Sequence, residues 1–221
     1  MSGIPTIVPA VAVVVSLLGG GDAFSVRPMM AVTSSRNHLR WWDQGSGAFS
    51  DFSAWRSDLL QGASVQASFK VVLGDQCSDR YSYSDKEPVF KVFGDSRAFA
   101  RPTRYEWIYD DRMSGAPQDG SVWRPICPSG YRYLGHYFKE RHDAPAQNDG
   151  FHCVKKIYTR TGRWEKVWDD SGSGGTYDVS VWRATGGMGA FCSASRQHDR
   201  PPAEPAYVVR SDKVQMIQSV D

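Results

Sequence analysis

The chain has 221 residues, enough for one sizeable core, and is rich in tryptophan, tyrosine and glycine, a balance that favours strands and turns over helix bundles. Its formal charge is +2, but Arg27, Arg36 and Arg40 against Asp22 account for that excess, leaving 23 basic and 23 acidic residues in 41–221. A neutral body without a basic stripe excludes nucleic acid as the expected partner.

The first element is an apolar run from Ile7 to Leu18, followed by Gly19–Gly21, Asp22 and Ala23. It is short for a bilayer span, and the small residues suit a signal-peptidase site, so residues 1–23 are expected to be a cleaved signal peptide. An uncleaved anchor is the other reading. Residues 24–37 contain no acidic residue, recur in Ser, Thr and Arg, and read as a linker or a transit-like segment. The expected location is the secretory pathway or extracellular space, with an organelle lumen such as a secondary plastid as the alternative. Residues 38–212 then form one domain, and 213–221 a C-terminal tail.

The domain is a repeat. Trp41–Arg56, Tyr109–Arg124 and Trp168–Arg183 align without gaps, and seven positions are identical in all three. They are Asp43/Asp111/Asp170, Ser46/Ser114/Ser173, Gly47/Gly115/Gly174, Asp51/Asp119/Asp178, Ser53/Ser121/Ser180, Trp55/Trp123/Trp182 and Arg56/Arg124/Arg183. Each copy predicts an aromatic lead strand (Leu39–Asp43, Tyr105–Tyr109, Trp164–Trp168), a Gly/Ser/Asp turn, and an alternating strand. On that strand Asp178, Ser180 and Trp182 share one face, while Val179, Val181 and Arg183 share the other. Trp55, Trp123 and Trp182 are expected to form a shared core.

Leu73–Gly74, Leu134–Gly135 and Met188–Gly189 mark a third strand, and Val89–Phe93, Phe151–Tyr158 and Tyr207–Arg210 a fourth. Thr161–Gly162 signals a hairpin into Trp164–Trp168, and the N-terminal lead strand is expected to close the C-terminal sheet. Three four-stranded units around an axis describe an all-β fold, a β-prism, with a β-trefoil as the alternative.

Cys77, Cys127, Cys153 and Cys192 are compatible with two disulfides. Their spacing does not choose among the three pairings, and buried free thiols are the other reading.

The stretch Asp119–Pro145 (DGSVWRPICPSGYRYLGHYFKERHDAP), the following Phe151–Lys156 (FHCVKK) and Val167–Ala184 resemble the plant and fungal vacuolar protein sorting-associated family sixty-two. There is a more distant similarity to P-x-G-Y units of large bridge-like lipid-transfer proteins and to the β-prism of endosomal sorting subunits. The resemblance implies a non-enzymatic module connected with membrane trafficking, and transfers fold better than function.

Two candidate sites follow from the residues. Asp169, Asp170 and Asp178 offer oxygen ligands on a flexible turn, which calcium tolerates; otherwise no cofactor is expected. Lys155, Lys156, Arg160 and Arg163, interleaved with Tyr158 and Trp164, suit phosphate head groups or sugars, or are a solvated hairpin. The repeated arginines are read as structural. His38, His136, His142, His152 and His198 make no H-E-x-x-H pattern, and the Gly-Ser-Gly triplets are not nucleophile elbows, so no enzyme is expected. His142 beside Asp143 and His198 beside Asp199 read as loop polarity. The sequence thus predicts a binding module for a carbohydrate, lipid head group or protein, with a trafficking adaptor or an organellar structural subunit as alternatives.

Overall fold

The computed structural model describes residues 29–34, 37–57, 71–82, 89–93 and 96–217, so the expected signal peptide lies outside the described residues. The fold is all-β: among the described residues the sheets are small, with their strands antiparallel apart from one parallel pair, and are joined by turns and three short 3-10 segments, with one further parallel bridge between Val72 and Phe151. Among the described residues no sheet closes into a barrel.

Each copy builds one three-stranded sheet with its middle strand at the centre. The strands are Asn37–Trp42, Ser53–Ser57 and Gln76–Ser78 in the first copy. They are Arg104–Asp110, Gly120–Ile126 and Tyr137–Glu140 in the second, and Arg163–Asp169, Ser180–Thr185 and Cys192–Ser195 in the third. Each lead strand slips register at the same place, between Leu39 and Trp41, Trp107 and Tyr109, and Lys166 and Trp168. A bulge there re-aims the side chain that follows.

That side chain is the aromatic at the first repeat position, and it lies in the core. Trp41, Tyr109 and Trp168 meet, with Trp41 5.9 Å from Tyr109 and 6.2 Å from Trp168 between ring centroids. Opposite them in register stand Ala54, Val122 and Val181, and opposite those Cys77, Phe138 and Ala194. All nine belong to one buried cluster, completed by Phe52, Val179 and Cys192. The core is therefore made of successive tiers, each receiving one residue from every copy.

This corrects the expectation for Trp55, Trp123 and Trp182, which are half-buried and outside that cluster. The two faces of the middle strand are divided as the alternation predicts, but the valine face points inward. Each tryptophan instead donates its indole N–H to the serine two residues earlier: Trp55 to Ser53, Trp123 to Ser121 and Trp182 to Ser180, at 2.7–2.9 Å. Each serine in turn donates to the backbone beyond the third strand, to the carbonyls of Arg80, Arg141 and Gln197. The identical Ser–Trp pair is thus a clasp within each copy.

The fourth strands do not extend these sheets. Val89–Phe93 pairs with Met29–Ser34, Cys153–Lys155 with Phe99–Ala100, and Tyr207–Val209 with Thr159–Thr161. In each case the partner is the strand that precedes the same copy's lead strand. Thr161–Gly162 is consequently a step between two sheets, not a hairpin; the Gly162 N–H bonds the carbonyl of Ala206. Closure differs too. Asn37–Trp42 stays in its own copy, and Met29–Ser34, from the segment read as a linker, pairs in parallel with Val214–Ile217 from the segment read as a tail.

A second ring of contacts joins the copies through Asp75, His136 and Cys192, which occupy one equivalent position. Asp75 accepts the backbone N–H of Phe138 at 2.8 Å, reaching from the first copy to the second. His136 Nδ1 accepts the N–H of Ala194 at 3.1 Å, from the second copy to the third. Cys192 is disulfide-bonded to Cys77, from the third copy back to the first. The other disulfide, Cys127–Cys153, lies within the second copy, and two such bonds indicate a non-reducing, secretory or extracellular environment. The Leu–Gly and Met–Gly pairs find their role nearby, since Gly74 and Gly189 back onto the ring of Phe191 and Gly135 onto its Cβ and the Cys192 backbone.

Two measurements check this arrangement. Gly120 holds the tier position filled by Phe52 and Val179, and a Cβ there would lie 2.0 Å from the Trp41 indole. Gly120→Ala should cost about 3 kcal/mol in chemical denaturation, the range for overpacking a rigid core. Burial, reinforced by the Arg124 guanidinium, pushes the His136 pKa from 6.5 down to about 3. Between those values the unfolded chain binds a proton that the folded chain refuses, so stability is complete above pH 6.5 and falls as pH drops toward 3. His136→Gln, which keeps an acceptor for Ala194, should flatten the denaturation midpoint across that window.

Candidate functional site

The turns between lead and middle strands, residues 43–51, 111–119 and 170–178, share one frame. Asp43, Asp111 and Asp170 are buried. Their backbone N–H groups bond the carbonyls of Phe52, Gly120 and Val179, and their carbonyls accept the N–H of Ser46, Ser114 and Ser173. Those serines then accept the N–H two residues on, from Ala48, Ala116 and Gly175. The identical Asp and Ser residues are explained by turn formation alone.

The three turns meet at one end of the molecule. The Phe49 N–H bonds the Ser171 carbonyl at 2.9 Å, and the Thr176 N–H bonds the Arg112 carbonyl at 3.1 Å. These are the same two repeat positions, taken from first copy to third and from third to second. The remaining bond of the ring would need an N–H at position 117, where proline has none; Pro117 packs on Gly45 instead.

Above this frame the copies differ. Three positions past the third-strand residue paired with the repeated serine (Ser78, Lys139 or Ser195) stands Tyr81, His142 or His198, and it covers the two aspartates of its own copy. His142 Nε2 lies 2.8 Å from Asp111 and 4.0 Å from Asp119. His198 Nε2 lies 2.7 Å from Asp170 and 3.7 Å from Asp178. In the first copy burial, with Asp43 and Asp51 beside it, raises the pKa of Tyr81. In both histidine copies one atom from each of the three side chains lies within 4.8 Å of the others. The inner aspartate is buried and hydrogen-bonded into place, the outer one is exposed, and the imidazole closes the third side, a geometry able to present three ligands to one cation.

The aspartates singled out from sequence divide accordingly. Asp170 and Asp178 join His198, but Asp169 does not. Burial would raise its pKa, yet hydrogen bonds from Lys166 and Ser171 hold it down at about 2. Its carboxylate is 2.8 Å from Lys166. In the sequence His142 and His198 each stand before an aspartate, and only the strand register shows that both lie over the repeated aspartates.

The basic–aromatic patch is taken apart by the fold. Lys155, Lys156, Arg160 and Arg163 are exposed, but Tyr158 is buried in the core beside Leu73 and Leu134. Trp164 is half-buried, its N–H donated to the carbonyl of Glu204 at 3.1 Å, and Arg160 donates to the carbonyl of Gly186. Burial leaves no face of Tyr158 for a ligand, and Trp164 keeps only part of its ring at the surface. Among the described residues three of the four exposed large apolar side chains lie on the meeting turns, Phe49 at 86% exposed, Met113 at 82% and Tyr177 at 41%, and the fourth, Ile157, lies beside the lysines of the patch. Met113 also has a φ of 67°, whereas Gly45 and Gly172 fill the same repeat position in the other copies. The repeated arginines are structural in the first copy, where Arg56 makes a buried bidentate pair with Asp75 and lies 3.7 Å over Tyr137. Burial disfavours the Arg56 charge, and Asp75 more than offsets it.

Comparison with known proteins supports the fold and identifies the family. The chain is similar to the crystal structure of GNIP1Aa from Chromobacterium piscinae, with a TM-score of 0.70 over 86% of this chain at 20% sequence identity. The match covers 39% of that protein, so this chain spans well under half its neighbour's length, and at such identity only the fold is shared. No curated protein sequence matches the chain. Residues 65–191 match the family model described as Vacuolar protein sorting-associated protein 62, and the chain belongs to that family.

Proposed function

We propose that this chain is a non-enzymatic recognition module of the secretory pathway or extracellular space, its three repeats forming a β-prism whose meeting turns are the recognition surface. The supporting observation is the division within those turns: a shared backbone frame carries two Asp–Asp–His sets and three exposed apolar side chains that the frame does not need. Tiers that receive one residue from every copy favour the prism, and the lack of a barrel among the described residues counts against the trefoil. The ligand is a carbohydrate, a lipid head group or a protein surface. Family membership favours a trafficking adaptor as the second reading, while the two disulfides favour a non-reducing compartment.

Each Asp–Asp–His set holds a divalent cation in this proposal. Calcium fits the carboxylates, but an imidazole nitrogen shifts the preference toward zinc or manganese. Titration calorimetry with zinc, manganese and calcium salts tests it. Zinc is expected to bind and to raise the melting temperature, and Asp119→Asn with Asp178→Asn should abolish both effects while leaving the buried aspartates intact. Heat-silent titrations with all three salts would remove the cation from the proposal.

The apolar tip has its own test. A left-handed non-glycine residue costs about 1–2 kcal/mol, so Met113→Gly should raise stability by about 1 kcal/mol after glycine's entropy is counted. The same variant should weaken binding to whichever ligand emerges from panels of glycans, liposomes and peptides. Unchanged binding would separate Met113 from the recognition surface.

A further inference from the structure

The crown of the three turns is almost without charge. Residues 44–50, 112–118 and 171–177 carry one charged side chain among them, Arg112, and it is paired with Asp110 at 3.0 Å. Carboxylates begin only at the feet of the turns, with Asp43 and Asp51, Asp111 and Asp119, and Asp170 and Asp178. The exposed apolar side chains adjoin the aspartate–histidine sets. Met113 stands two residues after Asp111, and Tyr177 immediately precedes Asp178. The Phe49 ring crosses to the third copy, where a Cβ on Gly172, two residues after Asp170, would lie 2.6 Å from it. The crown backbone is tied internally: the N–H groups of Ser46, Ser114 and Ser173 bond aspartate carbonyls, those of Ala48, Ala116 and Gly175 bond serine hydroxyls, and those of Phe49 and Thr176 bond the neighbouring turn.

We propose that this crown seats in the interface of a phospholipid bilayer, with Phe49 and Met113 entering it and the cations of the second and third copies lying against lipid phosphates. Entry into an apolar layer is costly for unmet backbone groups, and here those N–H groups are already bonded. Phe49 and Met113 project from different copies, with the positive-φ glycines Gly45, Gly47, Gly115 and Gly172 around them. Separate pegs of this kind would need one matching pocket each on a protein partner, whereas a fluid bilayer receives them independently. The charge agrees with that occupant. Each set of two carboxylates and one imidazole would repel a lipid phosphate when empty, and a divalent cation cancels its two negative charges. Three protein ligands leave coordination positions open, and phosphate oxygens are suited to fill them.

This inference rests on the reading of the meeting turns as a recognition surface and names what that surface meets. All four cysteines are in disulfides, so Ser50→Cys in the full chain gives one thiol on the crown for a nitrobenzoxadiazole label, whose emission reports entry into a bilayer. The probe is a vesicle of equimolar phosphatidylcholine and phosphatidylserine, added with zinc and then with EDTA, beside calorimetry of zinc binding. Emission should rise and shift to the blue with zinc, and EDTA should reverse it. Phe49→Ser and Met113→Ser should each weaken this binding about tenfold, the range for losing most of one apolar side chain's transfer, with the zinc heat unchanged. Zinc heat without a shift of the label would overturn the inference and leave the cation sites standing. No zinc heat, with a shift in EDTA that the two serine substitutions together abolish, would remove the cations and uphold the apolar seat. A shift that persists undiminished in that double variant would overturn the inference. So would release by glycerophosphoserine, which carries the headgroup without acyl chains, or capture of glycans or peptides but not vesicles, which would leave the recognition surface standing.

Discussion

Everything in this fold depends on three copies of one unit locking to each other through a single position. Asp75, His136 and Cys192 each reach the third strand of the following copy, by a carboxylate, an imidazole and a disulfide respectively. The backbone follows the same path, with the His136 N–H on the Cys192 carbonyl and the Cys192 N–H on the Asp75 carbonyl. A three-stranded sheet is too small to bury its apolar face alone, so no copy is expected to be stable without its neighbours. The aromatic tier of Trp41, Tyr109 and Trp168 supplies the burial, and the lock supplies the register.

The lock also shows how different chemistries can fill one geometric role. A buried carboxylate requires a cation, and Arg56 answers it. A buried imidazole stays neutral and requires none. A disulfide spanning 115 residues restricts the unfolded chain instead of satisfying a polar group. The repeated arginine therefore has three fates. It is buried against Asp75 in the first copy; it is released toward Glu106 and Glu204 in the second; in the third, Arg183 reaches the Cys77 carbonyl of the first copy. Identity at an aligned position did not guarantee identity of role, because the partner changed.

Much of this was legible in sequence, for reasons that can be stated residue by residue. The Asp–Ser turn and the Ser–Trp clasp are short-range, so their residues recur wherever the turn recurs. The inward face of the middle strand was not legible, because tryptophan outranks valine as a core residue and the bulge that brings Trp41, Tyr109 and Trp168 inward leaves no mark on composition. The histidines over the aspartate pairs were hidden by loop length: the third strand starts at different distances in each copy, and only strand register aligns Tyr81, His142 and His198. Tyr158 misled for the opposite reason, being a core residue set among exposed lysines and arginines.

Function is best sought where the copies disagree. Residues shared by all three copies are accounted for by turns, clasps and tiers, so they constrain the fold and say little about a ligand. Position 5 of the repeat is glycine with positive φ in the first and third copies and Met113 in the second, where the strained conformation gains no burial. His142 and His198 replace Tyr81 over the same pair of aspartates. Arg124 lacks the carboxylate its first-copy counterpart has. Each departure adds chemistry that the frame does not require, and each leaves the frame intact. A repeat that folds by repetition can therefore specialise one copy at a time, since the tiers and locks tolerate change at the surface while the core keeps all three copies in place.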